Sequence, residues 1–234
     1  MQPEIVTKIQ SRGHWRINFQ PLVAEKKIDP LSECREIVEK NAIRLRGWDY
    51  PYFPQDGKNI EPCDTYYHAW CDWWSMKEYW RMYQSGQFLH YLGLREDWVE
   101  EDQWSRDLVK QMPPGSALHT TNAIYQFTEV FEFLSRLALK GIYDEGVKIQ
   151  ITLNKTAGRA LRNDDPMRVP FHVLHKTGGE KVTVFDEKLT KDDIVTHPKD
   201  LAVKAVLVLF EKFAWKTSED SIRKDQEDFL TGKR

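Results

Sequence analysis

Residues 120–141, TTNAIYQFTEVFEFLSRLALKG, constrain this chain more than any other stretch. Ile124, Phe127, Phe131, Leu134 and Ala138 recur at helical spacing, and Val130, Phe133 and Leu137 widen the apolar stripe. A surface helix needs apolar cover along one stripe; a face this wide needs cover on two sides. The spacing therefore predicts the central helix of the fold, with Gly141 where a left-handed cap belongs. Glu129, Glu132, Arg136 and Lys140 share its narrow polar stripe. With cover on two sides, some of these charges must be partly buried. That leaves either a structural ion pair or a carboxylate of raised pKa at a functional site.

The cover is predicted to be a sheet. HWRINFQP (14–21) alternates Trp15, Ile17 and Phe19 with Arg16, Asn18 and Gln20, the period of a half-buried strand. IRLRGWDYP (43–51) reads as a short strand by the alternation of Ile43, Leu45 with Arg44, Arg46. Residues 78–83 and 87–94 read as two strands of a hairpin around Ser85-Gly86. VKIQITLN (147–154) is another strand, and residues 171–185 read as a second hairpin turning at Gly178-Gly179. Helices are expected after Asp29-Pro30 (Asp29 as N-cap), over 96–112 with Trp104, Leu108 and Met112 in register, from Pro198, and over 219–230. The expected class is α+β: a largely antiparallel sheet with hairpins, packed against a long central helix and further amphipathic helices. Residues 1–234 are read as one domain, with a soft boundary near 113–120.

Net charge near −2 provides no global field for nucleic acid or anionic lipid. Three cysteines, Cys34, Cys63 and Cys71, are too few and too unevenly placed for a disulfide framework. With no apolar leader and no apolar run of spanning length, a cytoplasmic location is expected, with no membrane partner.

No reaction motif is present: no G-x-S-x-G, P-loop, G-x-G-x-x-G or H-E-x-x-H. No catalytic residue, metal ligand or cofactor is assigned. Cys63, His68 and Cys71 lack the paired spacing of structural zinc. Asp186-Glu187-Lys188, with Asp164 and Asp165 upstream, is the nearest pattern to a metal-dependent nuclease or hydrolase.

Two clusters point to binding. Residues 68–93 hold eight aromatic rings, more than one sheet face hides, so part of this surplus is expected to face a partner. Trp73, Trp74, Tyr79, Trp80 and Tyr83 are the candidate partner-binding residues, for a protein partner, a second copy or a ligand. Lys155, Arg159, Arg162, Arg168, His172, His175 and Lys176, extended by Arg44 and Arg46, form a basic loop that would neutralise phosphates in a nucleic-acid-binding alternative.

RLRGWDYP (44–51), EYWRMYQSGQFLH (78–90), TEVFEFLSRLALKG (128–141) and LFEKFAW (209–215) together resemble an uncharacterised bacterial domain. That domain is associated with Schlafen-type, AlbA-like DNA-binding proteins and with anti-phage loci. The resemblance spans most of the chain and carries over no catalytic residue. It implies a stand-alone or partnered subunit with a sensing or adaptor role, in a bacterial defence or regulatory assembly.

Overall fold

The computed structural model describes residues 3–24, 28–102, 113–163 and 168–232. In chain order the elements are α1 (Glu4–Gln10), β1 (His14–Pro21), α2 (Leu31–Asn41), β2 (Ile60–Pro62), β3 (Tyr66–Trp73), β4 (Met76–Tyr83), β5 (Phe88–Gly93), β6 (Ala117–His119), α3 (Thr120–Leu139), β7 (Val147–Asn154), β8 (Ala160–Arg162), β9 (Lys181–Leu189), α4 (Lys191–Thr196), α5 (Pro198–Lys212) and α6 (Glu219–Leu230). The fold is α+β.

α3 is the predicted central helix, about 30 Å long. Every residue of its apolar stripe is buried, with Val130, Phe131, Phe133, Leu134, Leu137 and Ala138 at zero exposure. Its end is a Schellman turn. Gly141 takes φ +77 and donates to the Ala138 carbonyl, while Ile142 N–H reaches back to Leu137 at 3.2 Å. A side chain at Gly141 would oppose that left-handed backbone.

Seven antiparallel strands run in the order β2-β3-β4-β5-β1-β7-β9. The period of two divides their side chains between faces. Trp15, Ile17, Phe19, Ala69, Trp80, Met82, Phe88, Ile149 and Ile151 join the core formed with α2, α3 and α5. The other face bears Arg16, Asn18 and Gln20 on β1, as the alternation requires, and Tyr79, Arg81 and Tyr83 on β4. Among the described residues α1 is the helix that covers this second face. Its Ile5, Val6 and Ile9 pack on Tyr79, with Trp70 and Tyr91 at the margin. β7 and β9 slip register at Ile151/Thr152, which leaves Val184 as a bulge on the outermost strand.

Four sequence expectations give way. Residues 44–49 form a loop closed by a bridge between Ile43 and Tyr50, because Gly47 at φ +86 reverses the chain and Arg44 reaches Asp49 at 2.8 Å. Residues 171–175 are not a strand. β9 pairs with β7 instead, and Lys176 bridges to Ala160, since the segment is drawn to β8. Pro30 is extended at ψ 169, so α2 starts at Leu31 and Asp29 is not its cap. Residues 95–101 form two short 3-10 turns rather than helix, because Glu96 and Asp97 point inward to accept from the backbone of His119, Gly13 and Gly115. Trp104, Leu108 and Met112 lie outside the described residues.

Candidate functional site

The turn joining β3 to β4 has two residues, Trp74 and Ser75, because Trp73 and Met76 are cross-strand partners. Such tight turns require a positive φ, usually supplied by Gly, Asn or Asp. Here Trp74 supplies it, at φ +49, and remains 56% exposed. A bulky residue in that region is uncommon, since its Cβ crowds the following carbonyl. Trp73, 40% exposed, sits edge-on to Trp74 with centroids 5.8 Å apart, and Tyr52 sits edge-on to Trp73 at 5.8 Å. The three rings form one outward corner.

The corner is held from beneath. Lys77 is fully buried; it donates to the Trp74 carbonyl and pairs with Asp72 at 3.1 Å and Glu101 at 2.7 Å. Asp102 accepts from Ser75 N–H at 2.7 Å. Trp98 closes the same pocket, with Lys77, Lys8 and Arg12 over its ring at 5.4, 5.5 and 4.2 Å. Two hydrogen bonds thus tie down the turn backbone, one at the Trp74 carbonyl and one at the Ser75 amide.

The remaining partner candidates separate from this corner. Tyr79 and Trp80 are fully buried, Tyr79 beneath α1 and Trp80 in the core, so neither faces a partner in this conformation. Trp80 Nε1 donates to the Tyr52 carbonyl at 2.7 Å, which ties the exposed corner to the core. Burial pushes the Tyr79 phenol up to about 12. Tyr83 is half-buried at the opposite end of β4, with its ring 4.9 Å from Tyr66.

The basic loop does not form one field. Arg159 is fully buried and paired with Asp97 at 2.7 Å, while Arg46 is buried against Glu129 and Asn122. Arg168 pairs with Asp225, and His175 Nδ1 lies 2.8 Å from the Ala214 carbonyl. Arg44 is exposed and paired with Asp49; Lys155, Arg162, His172 and Lys176 are exposed. Part of the charge that reads as a patch in sequence, that of Arg46, Arg159 and Arg168, is thus spent on buried carboxylates.

Glu129, on the central helix, is the partner of Arg46, through Nε–Oε1 at 3.0 Å and a second bond to Oε2. Glu132 has its carboxyl raised by burial. A neighbouring polar core was not foreseen from residue patterns: Glu78 Oε1 accepts from Tyr52 N–H at 2.7 Å and lies 2.9 Å from His90 Nε2, and His90 Nδ1 is 3.3 Å from the Tyr50 hydroxyl. Glu78 and His90 are spaced apart in sequence and only become visible through the β4–β5 pairing.

Among the described residues no group of three or more His, Cys, Asp or Glu is placed to hold a metal ion. His68 and Cys71 lie on opposite faces of β3. Asp186 and Glu187 likewise diverge, Asp186 toward Lys148 and Glu187 toward Lys204 on α5, and Asp164 and Asp165 lie outside the described residues. No described helix is long and apolar enough to cross a membrane. Comparison of the chain with protein-family models, with curated proteins and with solved structures gave no match.

Proposed function

We propose that this chain is a non-catalytic recognition module that holds a protein partner through the β3–β4 turn. Trp74 carries the reading. A left-handed backbone costs an ordinary L-residue about 1–2 kcal/mol, which glycine would avoid. The chain nevertheless places its largest side chain there and leaves it 56% exposed. Strain kept at an exposed position is a mark of function more than of stability. At about 25 cal/mol per Å2, covering the exposed half of one indole is worth on the order of 3 kcal/mol, the size of an interface hot spot. Trp73 and Tyr52 widen the contact, and the clamp from Lys77 and Asp102 lowers the ordering cost on binding.

Photo-cross-linking tests this. With the substitution Trp74→p-benzoylphenylalanine, irradiation in cells should give one discrete protein adduct. The same group at Leu139, 63% exposed at the end of α3, should give none. No adduct from position 74, or the same products from both positions, would overturn the proposal.

A further inference from the structure

The sheet is covered on one face by α2, α3 and α5, but on the other by a helix of only seven residues. Beyond α1 the second face of β1, β7 and β9 meets no described helix. Its chemistry follows from the register. Gln20 stands beside Lys148 and Lys148 beside Lys188; one row on, Asn18 stands beside Gln150 and Gln150 beside Asp186; then Arg16, Thr152 and Thr183. A further row runs from Asn154 to Lys181.

Three features of this face stand out. Lys148 and Lys188 are direct cross-strand neighbours, an arrangement that repels unless an anion lies between them. Asp186, 3.4 Å from Lys148, is the one carboxylate in these rows against Arg16, Lys148, Lys181 and Lys188. The chain as a whole has net charge −2, so this face concentrates cations against the general balance. Third, Arg16 and Arg81 have no carboxylate partner among the described residues. Arg81 instead donates to the Tyr79 and Tyr83 hydroxyls at 2.6 and 3.2 Å and lies 4.9 Å over the Tyr66 ring. Tyr66 and Tyr83, both half-buried, leave part of their rings at the margin of the face.

Asn18 and Thr152 are buried in this face, and its accessible groups are the exposed Gln20, Lys181 and Lys188 and the half-buried Arg16, Lys148 and Gln150. We infer that these groups bind single-stranded nucleic acid. Phosphates would be neutralised by Arg16, Lys148, Lys181 and Lys188, and bases would stack at the Tyr66–Tyr83 end, beside the Arg81 guanidinium. Gln20 and Gln150 offer hydrogen bonds to base edges without fixing a sequence. A broad sheet does not enter a duplex groove, and rings stack only on unpaired bases, so the strand must be single. Of the exposed large apolar side chains, Leu22 borders this face beside Gly146, while Trp73 and Trp74 belong to the β3–β4 turn and Leu139 to the end of α3, so the face offers mainly cations and amides, which disfavours a lipid surface. Five strand spacings from β3 to β9, about 4.8 Å each, give a track of about 24 Å, room for about four nucleotides. This site is separate from the aromatic corner and does not depend on it.

The test is fluorescence anisotropy of a labelled oligothymidylate with the whole chain across a salt series. Lys148→Glu with Lys188→Glu should weaken binding at least tenfold and lower the salt slope by about one per cation removed. Arg162→Glu with Lys176→Glu, on the loop, should leave the affinity unchanged. If circular dichroism shows that the Glu pair does not fold, the Lys→Gln pair replaces it, with the same slope change expected. Absence of binding at low salt would overturn the inference. So would equal affinity for the same sequence as a duplex, binding to phosphatidylserine vesicles in place of the oligonucleotide, or a loop variant as weak as the sheet variant.

Discussion

Substituting Gly13→Ala, at the junction of α1 and β1, should unfold much of this protein's stability with a single methyl group. Gly13 lies against the most deeply buried ion pair in the described structure. Asp97 and Arg159 are 1% and 0% exposed and bond through two parallel contacts of 2.8 and 2.7 Å. Asp97 also accepts from Gly13 N–H at 2.7 Å and Gly115 N–H at 2.8 Å. A Cβ on Gly13 would overlap Arg159 Nη2 and come within 2.6 Å of Asp97 Oδ2 and 2.9 Å of Leu94 Cδ1. All three atoms are side-chain ends, but Asp97 is also held by Gly115 N–H and Arg159 by the Ala117 carbonyl, so making room means parting the pair. Separating a buried pair leaves uncompensated charge and costs about 3–5 kcal/mol. A protein of this kind holds about 5–15 kcal/mol in total. At roughly 2–4 °C per kcal/mol for this chain length, Tm should fall by about 6–20 °C. Thermal and urea unfolding followed by circular dichroism measure both quantities. A shift within about 1 kcal/mol would refute the reasoning, because it would mean the pair tolerates separation. A paired replacement, Asp97→Leu with Arg159→Met, should be less damaging than either single change, as expected where desolvation consumes most of the Coulomb gain.

Two further outcomes follow from the geometry. At position 74, Gly should be more stable than Ala by about 1 kcal/mol in urea unfolding, the reverse of the usual order, because φ is +49 there; equal stabilities would show that the turn relaxes without strain. His14 and His68 are held below the usual histidine value of 6.5, first by burial and then by Lys155 and Arg81 respectively. The unfolded chain therefore binds their protons more readily. The stability they contribute is present above pH 6.5 and is lost as pH falls from there through their lower folded values. The pH dependence of the urea midpoint over that window should flatten in a His14→Gln, His68→Gln double variant, and an unchanged slope would assign it to other groups.

What could be read from the residues was the periodic part. Ile124 to Ala138, Pro198 and the run at 219–230 each announce a helix through spacing and caps, and the alternation at 14–21 already separated Arg16, Asn18 and Gln20 from the core. Within the aromatic stretch Trp73 and Trp74 are exposed while Tyr79 and Trp80 are buried, and alternation could not separate them because it shows which rings share a face but not what covers it. Tyr79 points away from the core and is still buried, under an α1 too short and too plain to be noticed. The basic loop was legible only in part, for a different reason. The partner of Arg159 is Asp97, 62 residues away, and that of Arg46 is Glu129, 83 residues away. No local pattern records such distant neutralisation. The turn at Trp74 lay within the suspected stretch, but its significance depends on a backbone angle.

The bulge at Val184 bears on how this molecule keeps company. β9 is the last strand of the sheet, and a regular outer strand would offer a ruler of amide groups to any extended segment that drifted by. Shifting one residue out of step spoils that ruler midway. Strand-by-strand accretion into larger assemblies is thereby discouraged.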